Sequence, residues 1–411
     1  MSYHPGCLQE LIAPTEISFY DAGWRHMGTK KSLLRQLSLA TGIDTTVLKD
    51  PDQLYMLPVA RRMSWASMRE TTRVEDMAYS LLGIFDINMP MLYGEGDKAF
   101  IRLQEEIIKN HNDLSIFAWG SEVEDDPTAA KYLDMFARSP RAFLSCRSLI
   151  SPQSHAWAFS RNQFTVTNRG IEFMNPKLVV VSRSDQLQPN FLLSSQCRQV
   201  GQQAEQYISL TMVGPGVYAR VSPSRQPLDN KTGEFKEESS ISVLKSVTPA
   251  LLEAISTCHS HSFEICRDDG FFGFFGWSPA NAFDISQSRF LTLSSAGFRA
   301  HLRVTLELTD PGAGFCVLAL GLDIVSHSAA HALGPWMILI KPEIWKAHDV
   351  PGRHPVAVIN AAAEAQREHN RHLGTDPYIL HLTGHVVSCR LRQRLQAGCP
   401  VYRAVVGVSR R

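Results

Sequence analysis

Thr72-Arg73-Val74-Glu75-Asp76-Met77-Ala78-Tyr79-Ser80-Leu81-Leu82-Gly83-Ile84-Phe85 sets its apolar residues Val74, Met77, Ala78, Leu81, Leu82 and Phe85 at i, i+3, i+4, i+7, i+8 and i+11. That spacing draws one continuous stripe on a 3.6-residue helix and predicts a helix through the stretch, stripe inward. Thr72 and Glu75 stand three apart, so the hydroxyl is expected to cap the first turn while the carboxylate reaches back. Glu75 and Asp76 at the start also favour the helix dipole. Gly83 lies near the end, where a left-handed cap would stop the helix short of Phe85.

The same period extends outward. Gly96 to Lys109 predicts a helix with Ala99, Phe100, Leu103, Ile107 and Ile108 inward, and with Arg102/Glu106 and Glu105/Lys109 paired i, i+4 on the wet side. Thr29 to Ala40 predicts another, burying Leu33, Leu34 and Leu37 and closing at Gly42. Pro58 is placed to open a fourth, with Val59, Ala60 and Met63 inward. Glu16 to Tyr20 alternates like a short strand. The first 120 residues therefore read as mainly helical.

From Glu122 the pattern weakens. Four acids precede Pro127, and Pro140 and Pro152 follow, so residues 121–160 read as a connector. Behind it the period changes to two. His301 to Leu308 alternates polar and apolar, as a strand with one wet face does, and so do Phe164 to Thr167 and Ile208 to Met212. Leu178 to Val181, Phe315 to Leu320 and Met337 to Ile340 are short apolar runs of the kind covered on both faces. Residues 161–411 are expected to be a β-rich, sandwich-like domain of one or two sheets or subdomains. Helices at Thr248 to Ile255 and Ala361 to His372 would decorate it. The fold class is α+β.

Composition narrows the functions. The 411 residues are 44% hydrophobic and 20% charged with a net charge of +1, a globular balance that supplies no field for gathering nucleic acid. Eight thinly spread cysteines read as reduced thiols, and the first residues lack the apolar run of a signal peptide, so the cytoplasm is the expected location. The apolar stretch from Phe315 to Ile340 is broken by Asp323, His327, His331 and Pro335, which argues against a membrane span.

Catalytic motifs are scarce. Gly28-Thr29-Lys30-Lys31-Ser32 lacks the earlier glycine and the Gly-Lys pair of a phosphate loop, and reads as a turn with two solvated lysines. Cys258, His259, His261 and Cys266 lie too close together for the paired ligands of a structural zinc site, so no metal is expected. Neither a Gly-x-Ser-x-Gly elbow nor a His-Glu-x-x-His helix occurs. Phe271 to Trp277 reads as a glycine-bulged strand filling a core, with a ligand groove for a glycan or small molecule as the alternative.

Beyond these patterns, the front third resembles the latter part of the fungal heterokaryon-incompatibility (HET) domain. The resemblance runs through Gly6 to Pro14 with Leu8, Gln9 and Glu10, then Phe19 to Asp21, Trp24 and Gly28 to Lys30. It continues through Val59 to Ala66 with Arg62 and Trp65, and through Thr71 to Phe85 with Arg73, Glu75 and Asp76. It closes with Asn88 to Gly96, which holds Tyr93, Gly94 and Gly96, and with the helix carrying Phe100, Leu103, Gln104 and Glu105. Val166 to Ile171 resembles the start of the β-rich region common in such proteins.

The resemblance implies non-self recognition and programmed cell death, with protein partners of an incompatibility or death pathway. HET domains are also similar to TIR domains, which use a glutamate to cleave NAD. Residue by residue that glutamate corresponds to Glu10, making NAD the substrate of an alternative NAD-glycohydrolase reading. A carboxylate there would steer the oxocarbenium-like ribose left by nicotinamide. Gly6 stands where the family string has tryptophan, and the family's leading strands would lie ahead of Met1. The expectation is thus a catalytically incomplete signalling protein. Arg61, Arg62 and Arg73 are expected to pair with Glu75 and Asp76, and Trp65 and Tyr93 to pack.

Overall fold

The computed structural model describes residues 7–120, 132–151, 163–181, 191–222, 233–237, 239–268, 274–285, 287–293, 296–306, 314–325, 332–350, 353–369, 378–382, 384–396 and 399–410. Helices and extensive sheet make the fold α+β. The chain divides into two compact units, one of residues 1–211 with 218–247, the other of 212–217 with 248–411.

The first unit begins with helices α1 (Cys7–Ile12), α2 (Leu34–Thr41), α3 (Thr45–Lys49), α4 (Val59–Ser64), α5 (Val74–Tyr79), α6 (Leu82–Phe85) and α7 (Lys98–Asn110). Strands Ser18–Tyr20 and His26–Thr29 form a separate two-stranded ribbon. The stripe of α7 lies inward as its spacing predicts, with Ala99, Phe100, Leu103, Ile107 and Ile108 all buried. Pro58 stands at the N-cap of α4, and Val59, Ala60 and Met63 are fully buried. Helix α2 closes on left-handed Gly42, whose N–H donates to Ser38 O, but Leu33, Leu34 and Leu37 are only half-buried.

The long helix expected over 72–85 is two short ones. Leu81 N–H donates back to Ala78 O, a tighter turn, and Gln9 Nε2 of α1 takes Ser80 O at 2.9 Å. Gly83 lies inside α6 rather than capping it: a Cβ there would meet the Gln9 side chain at 2.9 Å. The left-handed cap is Asp86, φ 53°, with its N–H on Leu82 O. Thr72 does not cap α5: Arg73 holds the N-cap without a side-chain bond. The wet side of α7 is rewired too. Arg102 pairs with Glu95, Glu105 with Lys245, and Lys109 with Glu106 one turn back, in place of the predicted i, i+4 pairs.

Residues 132–151, inside the stretch expected to connect, belong to the core of this unit. Met135, Phe136, Phe143 and Cys146 are at most 2% exposed. Pro140 opens a 3₁₀ helix, Pro140–Cys146, whose first turn Ser139 caps through Arg141 N–H. Buried Gln104 of α7 acts as a strand partner for Ala137. Its Nε2 donates to Ala137 O at 2.7 Å and to Phe100 O at 3.0 Å, and its Oε1 accepts Ala137 N–H at 3.0 Å. Arg220 is buried over the Trp119 ring, 3.6 Å from its centroid, and donates to Phe117 O and Trp119 O. Burial holds its guanidinium down to about 9.

The main sheet runs in the order Gly233–Glu237, Lys177–Val181, Phe191–Gln199, Glu205–Gly214, Val217–Val221, Ser240–Val243, Ile171–Met174 and Gln163–Val166. Short strands Leu149–Ile150 and Tyr132–Leu133 join it on Phe191–Gln199 and Val217–Val221.

The second unit has two sheets. One, in the order Phe283–Asp284, Arg289–Phe290, Phe263–Arg267, Cys399–Arg410, His385–Gln396 and Tyr378–Leu382, is antiparallel except where Phe263–Arg267 runs parallel to Cys399–Arg410. The other is an antiparallel set of Phe274–Ser278, Arg299–Thr305, Phe315–Val325 and Ala332–Ile340. Leu302, Val304, Leu318 and Leu320 from one meet Phe263, Val387, Ala404 and Val406 from the other in a single core. Helices α8 (Pro249–His259), α9 (Pro342–His348) and α10 (Pro355–His369) complete the unit. Trp345 of α9 and Val358, Ile359 and Ala362 of α10 cover Val317, Ala319 and Ile338 on the outer face of the four-stranded sheet.

That cover explains a misreading. The face expected to be wet on the strand around His301 is covered at His301 itself, which is 9% exposed with its ring 4.4 Å from Trp345, while Arg303 and Thr305 on the same face stay partly exposed. Of the Phe271 to Trp277 cluster, residues 271–273 lie outside the described residues. The rest is a strand bulged at left-handed Gly276, with the Trp277 ring 4.9 Å from Phe283.

Candidate functional site

The resemblance nominates residues on four segments of the first unit. On α1, Leu8 is fully buried, Gln9 is committed to Ser80 and Gly83, and Glu10 is exposed. The Glu10 carboxylate has no hydrogen bond or ion pair among the described residues. Trp24 is 84% exposed at φ 59° in a turn where Asp21 Oδ1 accepts Gly23 N–H and Arg25 N–H, both at 2.9 Å. Its ring leans on Tyr20 at 6.1 Å. Lys30 beside this ribbon is 2% exposed, not solvated as expected. Its ammonium donates to Ile12 O at 3.0 Å and Pro14 O at 2.7 Å, and burial lowers its pKa.

A denser arrangement surrounds Glu75 at the start of α5. Glu75 Oε1 accepts Gly94 N–H at 2.7 Å and Gly96 N–H at 3.1 Å. Both glycines are in the left-handed region, φ 98° and 59°, which a side chain would strain. Backbone N–H groups of Glu75 itself, Gly96 and Gly94 hold the carboxyl below its usual range. Next to it, the Tyr93 hydroxyl donates to Asp76 Oδ1 at 3.0 Å, and the Arg73 guanidinium sits 4.7 Å over the Tyr93 ring. Tyr79 meets Tyr93 edge-on at 5.6 Å, and its hydroxyl reaches Leu92 O at 2.6 Å and Glu95 Oε1 at 3.2 Å. Arg102 of α7 pairs with Glu95.

Every polar anchor of the 92–96 loop thus comes from α5 or α7, and the apolar side chains go outward. Met91, Leu92 and Tyr93 are 62%, 53% and 53% exposed, so Tyr93 packs on one face only.

The arginines do not form the expected network with Glu75 and Asp76. Arg61 pairs with Asp44, and only Arg73 faces the acids. Arg62, 3% exposed, donates through Nη1 to Ile84 O at 3.2 Å and lies 4.7 Å over the Phe85 ring. Burial brings it down to about 10 against the pull of Asp113. Trp65 is buried as expected, and its carbonyl accepts from Arg69. Tyr79 and Glu95 were not singled out in the sequence, and Arg102 was expected on Glu106 rather than on Glu95, since nothing short-range marks an aromatic or a charge as a loop anchor.

No trio of His, Cys, Asp or Glu placed to hold a metal occurs among the described residues. Nor does any described helix have the length and apolarity to cross a membrane.

Part of the chain is similar in sequence to a fungal protein of the heterokaryon-incompatibility type. The relative that carries this is the vegetative incompatibility protein HET-E-1 of Podospora anserina, 46% identical over 109 residues. The match covers 26% of this chain and 8% of that protein, so the shared part is a small fraction of the relative's length. Residues 98–196, from α7 into the main sheet, match a domain of unknown function (DUF8212). No solved structure matches the chain.

Proposed function

We propose that the chain is an incompatibility-type regulatory and cell-death signalling protein that acts in the cytoplasm through protein interaction. In this reading residues 1–120 are the C-terminal part of a TIR-like HET domain and residues 161–411 its β-rich partner region. What supports it is how the family-motif side chains are employed. Glu75, Asp76 and Arg73 hold Tyr93, Gly94 and Gly96 in a fixed loop that turns Met91 and Leu92 outward. Fixed apolar side chains in water serve association: they bury area on binding and lose little conformational freedom doing so. Among the described residues Glu10 has no hydrogen-bond donor to orient it, and orientation is what a catalytic carboxylate needs.

Expression in a filamentous fungus separates this from NAD cleavage. The chain is expected to reduce colony growth, the double variant Met91→Ser/Leu92→Ser to relieve the effect, and Glu10→Ala to leave it in place. Relief by Glu10→Ala with no effect of the loop variant would overturn the proposal in favour of the enzyme.

A further inference from the structure

On the outer face of the six-stranded sheet of the second unit, the register draws a line of charged residues across five strands. Asp284 stands opposite Arg289, Arg289 opposite Glu264, Glu264 opposite Arg403, and Arg403 opposite Arg392. Their neighbours along the strands, Phe283, Phe290, Phe263, Tyr402 and Leu391, pack in the core, so by alternation these five share the side away from it. The signs alternate until the last step, where two guanidiniums meet. Directly opposite side chains have Cβ atoms about 5 Å apart, and like charges there destabilise a sheet. Glu264 does not separate the pair. It lies on the other side of Arg403, held by Arg394 and, at 3.4 Å, by Nε and Nη2 of Arg403.

Arg390 and Arg392 are exposed, and neither has a hydrogen bond or ion pair among the described residues. They stand two apart on the strand His385–Gln396, so they leave the same face about 7 Å from each other. Nη1 of Arg403 also makes no hydrogen bond. Two whole guanidiniums and part of a third thus gather beside one carboxylate that is already shared. Asp268 is on this face too, but it flanks Gly407, across the strand Cys399–Arg410 from Arg390. The partner this arrangement lacks is an anion with more charge and more acceptor oxygens than a carboxylate. Phosphate has both: arginine grips it through two parallel N–H···O bonds, and its dianion gains twice the Coulomb energy of a monoanion at the same distance. The outward neighbours Ser388, Val401 and Val405 are not aromatic, so they offer no platform for stacking the bases of single-stranded nucleic acid. We propose that Arg390, Arg392 and Arg403 bind a group carrying two or more phosphates, one relieving the Arg392–Arg403 pair and another meeting Arg390, on a soluble molecule or a lipid headgroup.

The test uses the full chain at neutral pH and constant ionic strength, with sodium pyrophosphate, sodium phosphate and sodium acetate as probes in calorimetric titration. Pyrophosphate is expected to bind saturably, phosphate several-fold more weakly, and acetate not measurably. Affinity for pyrophosphate should fall as sodium chloride is raised, because the guanidiniums are exposed. Arg390→Gln and Arg392→Gln, both at exposed positions, should each weaken pyrophosphate binding several-fold, and the double variant should abolish it. Vesicles separate the two sources. Capture by phosphatidylcholine vesicles carrying phosphatidylinositol bisphosphate, but not by those carrying phosphatidylserine, supports a lipid headgroup; pyrophosphate binding with capture by neither supports a soluble ligand. The proposal is overturned if pyrophosphate gives no saturable response, if acetate binds as tightly, or if the double variant binds pyrophosphate unchanged. Equal capture by phosphatidylserine vesicles, or tighter binding of a single-stranded RNA oligonucleotide than of pyrophosphate, would overturn it too.

Discussion

Gln104→Leu is the sharpest probe of how the first unit is assembled. Leucine matches glutamine in bulk and keeps α7 helical, so the change isolates the three hydrogen bonds of the amide. Phe100 O keeps its place in the helix ladder, but Ala137 loses the partner of both its N–H and its C=O inside a buried segment. Each buried group left unpaired costs about 1–3 kcal/mol. Two such groups at the middle of that range, less about 1 kcal/mol regained by burying leucine in place of an amide, give a net loss of about 3 kcal/mol. At about 1.4 kcal/mol per decade, amide-exchange protection of 132–146 should fall by about a hundredfold. Hydrogen exchange read by mass spectrometry on peptides covering 98–110 and 132–146 measures this directly. Gln104→Glu should cost more, because it retains an acceptor for Ala137 N–H while burying a charge that faces Ala137 O. A loss below about threefold in both peptides would refute the idea that Gln104 joins α7 to the 132–151 segment.

Other outcomes follow from single side chains. His301 is buried with Nδ1 unpartnered, and burial, helped by Arg303, brings it to about 4. The unfolded imidazole takes up its proton near pH 6.5 and the folded one only near 4. The second unit should therefore lose up to about 3 kcal/mol as pH falls through that window and level off below it, in urea titrations at stepped pH; His301→Phe should flatten the slope. Lys30→Met removes the donor that joins Ile12 O and Pro14 O, and should raise proteolytic cleavage at the ribbon of residues 18–29 without altering α7 protection. Purified chain incubated with NAD should release no nicotinamide above background, and a release abolished by Glu10→Ala would reverse that reading.

What was legible in the sequence followed local rules. The α7 stripe, the Pro58 start and the Gly42 stop need only neighbours within a turn, and the second-unit strands from Phe315 and up to Ile340 need only their short apolar runs. What was not legible depends on partners distant in sequence. The break between α5 and α6 is set by Gln9, 71 residues earlier than the Ser80 carbonyl it takes. Lys30 looks solvated because its two carbonyls sit at the end of α1. Prolines 140 and 152 suggested a connector, whereas Ser139 and Pro140 start a 3₁₀ turn whose Phe143 and Cys146 are core. His301 alternated like a surface residue until α9 covered it.

The candidate site divides in the same way. Glu75, Asp76 and the two glycines stand out by type and spacing. Their joint use shows only once a loop 19 to 21 residues away returns to the carboxylate. Arg62 reads as one charge among several, and its buried, half-unbonded state is visible only in three dimensions.

The claim that the motif residues hold a loop in place is tested most directly by exchange of the Gly94 and Gly96 amides, measured by NMR in the parent chain and in Glu75→Ala. The account predicts that both amides are protected at neutral pH and lose protection only on acidification below the ordinary glutamate range, because Glu75 releases them only when it takes up its proton. In Glu75→Ala both should exchange at least about tenfold faster while the α7 amides stay unchanged. Equal exchange at Gly94 and Gly96 in the two proteins would contradict it.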